Sequence, residues 1–367
     1  MNNQSKHFLH GGDLDSISNA YGISRSEIID FSGNINPLGI STLAKEEIAK
    51  NLDLISTYPD RNYNSLCRGI SNYVGVDSEH IIVGNGSTEL ISLMIQMKKP
   101  KELLIIGPTY SEYEREASLA RSHVQYFRLK EDRDFNIDVQ DLISQLTTDI
   151  DMLIICNPNN PTSTCIRTPE LKIILDQCKE NNIFVMIDET YVEFVENIES
   201  VTATSLIPDY DNLLILRGIS KFFSAPGLRL GYGMSSNIDL LSHMNSHKNP
   251  WTINILASFG TEVMLQDLAY INQTKNLFNE QRNFIYKELL SFKNIKVYKP
   301  EANFVLFKLL DPSIKGHDIF DKMLQQKMLL RDASSFPFLN ERFLRFCFLL
   351  PDQNKTLLEA LKMELND

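Results

Sequence analysis

Several things are scarce in this chain of 367 residues, and each scarcity narrows the field. Basic charge is one: 36 Lys and Arg against 47 Asp and Glu leave a net charge of −11. That balance disfavours wholesale binding to nucleic acid or to an anionic membrane, both of which need a basic field. It still allows an anionic substrate, because a pocket can be locally positive. Cysteine is sparse and unpatterned. Cys67, Cys156, Cys165, Cys178 and Cys347 include no C-x-x-C pair, and an odd, scattered set fits free thiols in a reducing cytosol better than disulfides. Cys156 and Cys347 sit in apolar runs and read as core. The seven histidines show no metal-ligand spacing. No apolar run reaches membrane-spanning length, and Met1 to Lys6 lacks the apolar stretch of a signal peptide. No repeat, low-complexity stretch or flexible linker interrupts the chain. No G-x-G-x-x-G follows an early strand, which counts against a nicotinamide dehydrogenase. The expectation is a soluble, cytoplasmic protein of ordinary composition, long enough for two domains.

What is present is an alternation of short apolar runs and amphipathic segments. Strands are expected at 103–106, 124–127, 152–156, 183–187 and 213–216. Helices are expected at 90–97, 112–120, 139–146 and 169–181, the last with Pro169 near its start, where a missing N–H costs little. This rhythm predicts an α/β fold: an open, mainly parallel sheet with helices on both faces. After Trp251 the texture changes. Residues 253–290 read as one long helix, followed by strands at 296–298 and 304–309, a helix at 319–326, a strand at 343–348 and a helix at 352–365. The division expected is a large domain over 42–250 and a small α+β domain built from 1–41 and 251–367.

Ligands of such sheets sit beyond the carboxyl ends of the strands, and the polar motifs fall there. Asn157-Pro158-Asn159-Asn160-Pro161-Thr162 closes one strand. Asp188-Glu189-Thr190-Tyr191 closes the next. Ser220-Lys221 follows a third, with Arg229 eight residues further on. Lysine, carboxylate, tyrosine and asparagine at successive strand ends are the parts that hold pyridoxal phosphate, through a Schiff base to the amine and an acidic partner for the pyridinium nitrogen. Most lysines are solvated surface charges. Lys221, however, sits among apolar residues near a second cation, the setting that lowers an amine pKa and makes it nucleophilic. Asp188 could be an ordinary turn former, but a carboxylate at a buried strand end is costly without a partner. Tyr191 and Asn160 can reach the ring's phenolic oxygen. Tyr110 can stack on its face, although core packing is the bland reading of any one tyrosine. Gly84-Asn85-Gly86-Ser87-Thr88 opens a helix and can bind an anion with free N–H groups and hydroxyls. An ordinary capped turn has the same composition.

With those residues in hand, the chain resembles the aspartate-aminotransferase fold family of class I/II pyridoxal phosphate enzymes. Within it, the chain looks most like the branch of threonine-phosphate decarboxylases and histidinol-phosphate aminotransferases. The resemblance implies a homodimer with shared active sites. It implies that Lys221 carries the cofactor, that Asp188 pairs with the ring nitrogen, and that Tyr191 and Asn160 contact the phenolic oxygen. Tyr110 would stack, and Gly86, Ser87, Thr88, Ser220 and Arg229 would hold the cofactor phosphate. Tyr58 would reach the phosphate of the other subunit, and Arg345 would grip a substrate carboxylate. His10-Gly11-Gly12, the Asp30–Gly39 segment with Asn34, Pro250–Asn254, and Arg331 with Ser335-Phe336 resemble the decarboxylase branch. There His10, Asn34, Asn160, Arg331 and Arg345 would face the substrate. Three positions depart from the family pattern. Gly218 replaces a phosphate-binding Ser or Thr, which implies weaker cofactor retention. Ser163 replaces the Gly after Asn-Pro-Thr. Leu349 stands where a second basic residue is common, which bears on the substrate.

The activity these residues imply is decarboxylation of a small O-phosphorylated amino acid, threonine phosphate or serine phosphate. The alternative is amino transfer on a small phosphorylated substrate, because the same residues serve both outcomes. A non-catalytic module on the same fold is a third reading, opposed by the presence of both Lys221 and Asp188. No metal ligand set is expected.

Overall fold

The computed structural model describes residues 11–365. Thirteen strands occur among them: β1 (Ile29–Asp30), β2 (Ile81–Gly84), β3 (Glu102–Gly107), β4 (His123–Arg128), β5 (Met152–Cys156), β6 (Phe184–Asp188), β7 (Leu213–Gly218), β8 (Gly231–Met234), β9 (Ile295–Val297), β10 (Phe304–Leu309), β11 (Met328–Leu329), β12 (Arg331–Asp332) and β13 (Phe343–Cys347). Seven of them form one sheet in the order β2-β8-β7-β6-β5-β3-β4. Strands β3 to β7 run parallel, and β8 is antiparallel to both its neighbours. Every residue of β5, β6 and β7 is buried, which is why those strands read as unbroken apolar runs: helices cover both faces of a parallel sheet. This is the α/β architecture expected from the alternation of apolar runs and amphipathic segments, an open and mainly parallel sheet.

A second sheet, β12-β13-β10-β9, is antiparallel throughout. Strand β1, from the start of the chain, pairs with β11. The N-terminal segment is thereby tied to the C-terminal third, next to the strand pair that carries Arg331 and Arg345.

Two expected elements differ. The stretch 253–290 is two helices, Ile255–Gln266 and Leu268–Leu289, with Asp267 between them. The Asp267 carboxylate accepts from the Tyr270 N–H and so caps the second helix, a local bond that competes with continuation. The helix expected over 139–146 ends at Ile143. Strands β2 and β8 were not anticipated. Strand β8 contains Gly231 and Gly233, and glycine lowers any strand signal. Gly231 is there for proximity: a Cβ on it would collide with the backbone of Gly86 and Ser87. None of the helices among the described residues is long and apolar enough to cross a membrane.

Candidate active site

Strands β5 and β6 end level with one another, and β7 runs two residues further, to Gly218. Cys156 is the register partner of Asp188, and Asp188 of Leu216. The segments that follow therefore open on one edge, around a cavity of about 280 Å³. Its walls include Asn34, Ser87, Thr88, Tyr110, Asn160, Asp188, Tyr191, Ser220, Lys221, Arg229, Arg331 and Arg345, all anticipated from the sequence.

Asp188 is the most firmly anchored group. Its Oδ1 accepts from the Thr190 N–H (2.9 Å) and hydroxyl (2.5 Å), and its Oδ2 from the Tyr113 hydroxyl (2.7 Å). Three donors fix the carboxylate's rotation and leave it facing the cavity. Tyr113 was missed. The signal that could have found it is a second tyrosine only three residues after Tyr110, in the first turn of the helix that follows the same strand. The two rings meet edge-on at 5.6 Å.

Lys221 donates from Nζ to the Gly33 carbonyl at 2.7 Å. Its pKa is pushed down to about 8, first by burial and then by the nearby Arg345 guanidinium. The sign follows from desolvation, which disfavours the charged form. Its main-chain carbonyl accepts from the Asn36 N–H, so the segment after β1 holds both ends of this residue.

The turn before the helix Ser87–Lys98 has Gly86 at φ +81°, and a Cβ there would stand 2.6 Å from Arg229 Nη2. The missing side chain lets the guanidinium lie against the turn, beside the Ser87 and Thr88 hydroxyls. An open helix N-terminus, hydroxyls and a permanent cation make a phosphate cradle. Asp188 lies at the opposite side. Lys221 stands at the wall, and Tyr191 and Asn160 come from the neighbouring strand ends. Asn34 Oδ1 and Arg345 Nε are buried without a protein partner, so the cavity wall retains polar capacity that a ligand can use. The donor set and the glycine cradle fit pyridoxal 5′-phosphate.

On the remaining side, Arg331 and Arg345 are direct partners across the antiparallel pair β12–β13, so their side chains share a face. Both are buried. Arg345 donates to the Asn160 side chain and to the Ser32 carbonyl, and its guanidinium lies between the Phe304 and Phe336 rings at 5.4 and 5.9 Å. Arg331 donates to the Ser335 hydroxyl and lies 5.3 Å from the same Phe336 ring. Burial, then Arg345, pushes its pKa down to about 10. Like charges placed directly across two strands oppose folding, and an anion between them reverses the sign.

Other expected residues lie elsewhere. Tyr58 is 79% exposed, lies against Trp251 with the ring centres 4.8 Å apart and the planes tilted by 37°, and is not part of this cavity's lining. His10 lies outside the described residues. Leu349 does not line the cavity: it is buried in the core, and its N–H donates to Asn354. The position therefore offers no cavity-facing site for a basic group, and its bearing on the substrate falls away. Gly218 ends β7 within 3.3 Å (by its absent Cβ) of the Leu230 carbonyl, a close strand approach. Ser163 has φ +61°, and its hydroxyl accepts from the Glu301 and Ala302 N–H groups.

The fold and this arrangement define a pyridoxal-phosphate-dependent enzyme. The model of the family "Aminotransferase class I and II" matches residues 26–361, and the chain belongs to that family. It is 33% identical over 356 residues to the threonine-phosphate decarboxylase of Salmonella typhimurium, covering 96% of this chain and 95% of that one. It is 30% identical over 364 residues to the histidinol-phosphate aminotransferase of Methanococcus aeolicus, covering 98% and 96%. The crystal structure of the histidinol-phosphate aminotransferase from Clostridium acetobutylicum superposes with a TM-score of 0.86 at 34% identity, over 92% of this chain and 98% of that one.

Proposed function

We propose that the protein decarboxylates a small O-phosphorylated amino acid, threonine phosphate or serine phosphate, with pyridoxal 5′-phosphate as cofactor. The observation that carries this reading is the buried cross-strand pair Arg331 and Arg345 beside Lys221. Once Arg229 is assigned to the cofactor phosphate and Asp188 to its ring nitrogen, two permanent cations are left. They suit a substrate with two anionic groups close together, a carboxylate and a phosphate. The likeness to a threonine-phosphate decarboxylase supports the same choice.

When bound, the cofactor supplies an electron sink for the pair left on Cα as a bond to that carbon breaks. The chain's own groups do the rest. Lys221 would hold the cofactor through its Nζ, and with that amine free it would be the group placed to move a proton at Cα. A pKa near 8 suits that task, because both protonation states are accessible near neutral pH. Asp188 keeps the ring nitrogen protonated, with Thr190 and Tyr113 fixing its orientation. Tyr191 and Asn160 would contact the cofactor's phenolic oxygen, and Tyr110 would stack on its ring. Gly86, Ser87, Thr88, Ser220 and Arg229 hold the cofactor phosphate. Arg345, Arg331 and Asn34 orient the substrate so that the Cα–carboxylate bond stands upright, the geometry that selects which bond breaks. In this reading the protein is a homodimer, in which exposed Tyr58 would reach the partner's phosphate.

Amino transfer is the second reading, favoured by the likeness to the Clostridium acetobutylicum structure. There Arg345 would hold a carboxylate in the ring plane, and Lys221 would remove the Cα proton instead. Incubation of cofactor-loaded protein with O-phosphothreonine and O-phosphoserine separates the two. Carbon dioxide release without amino transfer to 2-oxoglutarate is the expected result; amino transfer with no carbon dioxide overturns it.

A further inference from the structure

Residues 333–340 lie within the connection (333–342) between β12 and β13, the two strands bearing the arginine pair. Within this loop Leu339 N–H returns to the Phe336 carbonyl at 3.2 Å. Pro337 is the second residue of the resulting turn, and Phe338 the third, at φ +68°. A positive φ at that position is the type II arrangement, which ordinarily demands Gly or Asn. A phenylalanine there is strained, because its Cβ crowds the backbone. Phe338 is also 41% exposed, so burial in a core does not explain it.

The ring's neighbours account for the residue. It meets Tyr126 of β4 edge-on at 5.2 Å, and the Arg128 guanidinium lies 5.3 Å from its centre. Gly107, at the end of β3, leaves room for this contact: a Cβ there would be 2.8 Å from the Tyr126 ring and 3.4 Å from Phe338. Three residues past Gly107 stands Tyr110, on the cavity wall. Two residues before Phe338 stands Phe336, whose ring contacts both Arg331 and Arg345. The strained residue thus joins the loop carrying the arginine wall to the edge of the sheet carrying the cofactor residues.

We propose that Phe338 is a positioning residue: by docking the 333–340 loop on Tyr126 and Arg128, it fixes the arginine pair relative to Lys221 and so sets substrate affinity and bond choice. This rests on the reading that Arg331 and Arg345 hold the substrate. Phe336 transmits the constraint, since its ring lies against both guanidinium groups. A loop left undocked keeps the cations but lets them wander, and a misplacement on the scale of an ångström is enough to cost a large factor.

Phe338→Gly is the informative variant, because it removes the ring and the strain together and so leaves folding least disturbed. Cofactor-loaded Phe338→Gly, Tyr126→Ala and the double variant are compared with wild type, each checked for unchanged melting temperature and cofactor absorbance. The expected result is a KM for O-phosphothreonine raised about tenfold, with kcat changed far less and more amino transfer per carbon dioxide released. The Tyr126→Ala variant should raise KM similarly, and the double variant should add little to either, since both remove one contact. A KM within twofold of wild type in Phe338→Gly, or fully multiplicative effects in the double variant, overturns the proposal. If wild type releases no carbon dioxide, the decarboxylase reading has failed; the same KM comparison with histidinol phosphate in the amino-transfer assay then decides the role of Phe338.

Discussion

The side of the cavity proposed to hold the cofactor rests on neighbouring strand ends of one sheet, whereas the side proposed to hold the substrate is gathered from segments far apart in the chain. Asp188 takes its donors from Thr190 and Tyr113, two and 75 residues away. Arg345 takes its acceptors from Asn160 and Ser32, 185 and 313 residues away. The first kind of site is rigid by construction: parallel strands fix the spacing of the groups that follow them. The second depends on how several loops and two sheets meet. Such an assembly can be shifted without unfolding the protein, which makes it the natural place for specificity to be decided. The same difference explains why a family with one cofactor floor can support both decarboxylation and amino transfer.

Removing Lys221 should break the cofactor side most completely. In Lys221→Ala the borohydride-trappable yellow species disappears, and turnover falls by on the order of 10⁴-fold or more. A covalent adduct still forming at another lysine would show the assignment to be wrong. In wild-type apoprotein, the amine's depressed pKa makes a further statement. Its reaction with aldehydes should rise with pH through about 8, because the neutral nucleophile appears there and not near 10.5. A midpoint near 10 by mass-spectrometric labelling of Lys221 would contradict the burial argument.

On the substrate side, Arg345→Gln should leave the cofactor spectrum intact and raise KM by about 10² to 10³-fold, the loss of a buried charge contact. Loss of the cofactor together with the substrate would mean that the two sides are not separable as described. Tyr113→Phe tests the floor more gently. One charge-assisted hydrogen bond to Asp188 is lost, worth roughly 1.5–3 kcal/mol. The cofactor should dissociate more readily by about tenfold or more, with KM for substrate little changed. An unaltered cofactor affinity, measured by the spectral titration of apoprotein, would leave Tyr113 as packing only.

The same contrast governs which features the sequence makes legible. Asp188, Asn160, Ser220 and Lys221 follow buried strands at short range, so local pattern located them. Burial of both sheet faces made those strands conspicuous as apolar runs. Tyr113 was overlooked because a tyrosine inside a helix reads as core until its hydroxyl partner is known. The pairing of Arg331 with Arg345 depends on the β12–β13 register, and no local periodicity encodes a register between short strands. Strand β8 was hidden by its own glycines, which serve contacts with the phosphate turn. Leu349 lies two residues beyond the end of β13, where strand alternation no longer sets the direction of a side chain, so its burial could not be read from its distance to Arg345.

Ser163 is where the smallest effect is expected, and the sign itself is informative. At φ +61° a serine pays about 1–2 kcal/mol relative to a glycine. Its hydroxyl returns hydrogen bonds from the Glu301 and Ala302 N–H groups at 3.2 and 2.9 Å, each worth about 1 kcal/mol. The Ser163 carbonyl accepts from Glu301 as well, and that bond survives substitution. The two contributions nearly cancel, so Ser163→Gly should shift stability by less than about 1 kcal/mol in denaturant titration. The hydroxyl's partners lie just before Phe304, however, whose ring packs on the Arg345 guanidinium. Loss of the Ala302 bond should therefore loosen the arginine wall without touching the strand ends, and KM should rise a few-fold while cofactor affinity stays constant. A change in cofactor affinity with constant KM would place Ser163 on the other side of the cavity from the one its hydrogen bonds serve.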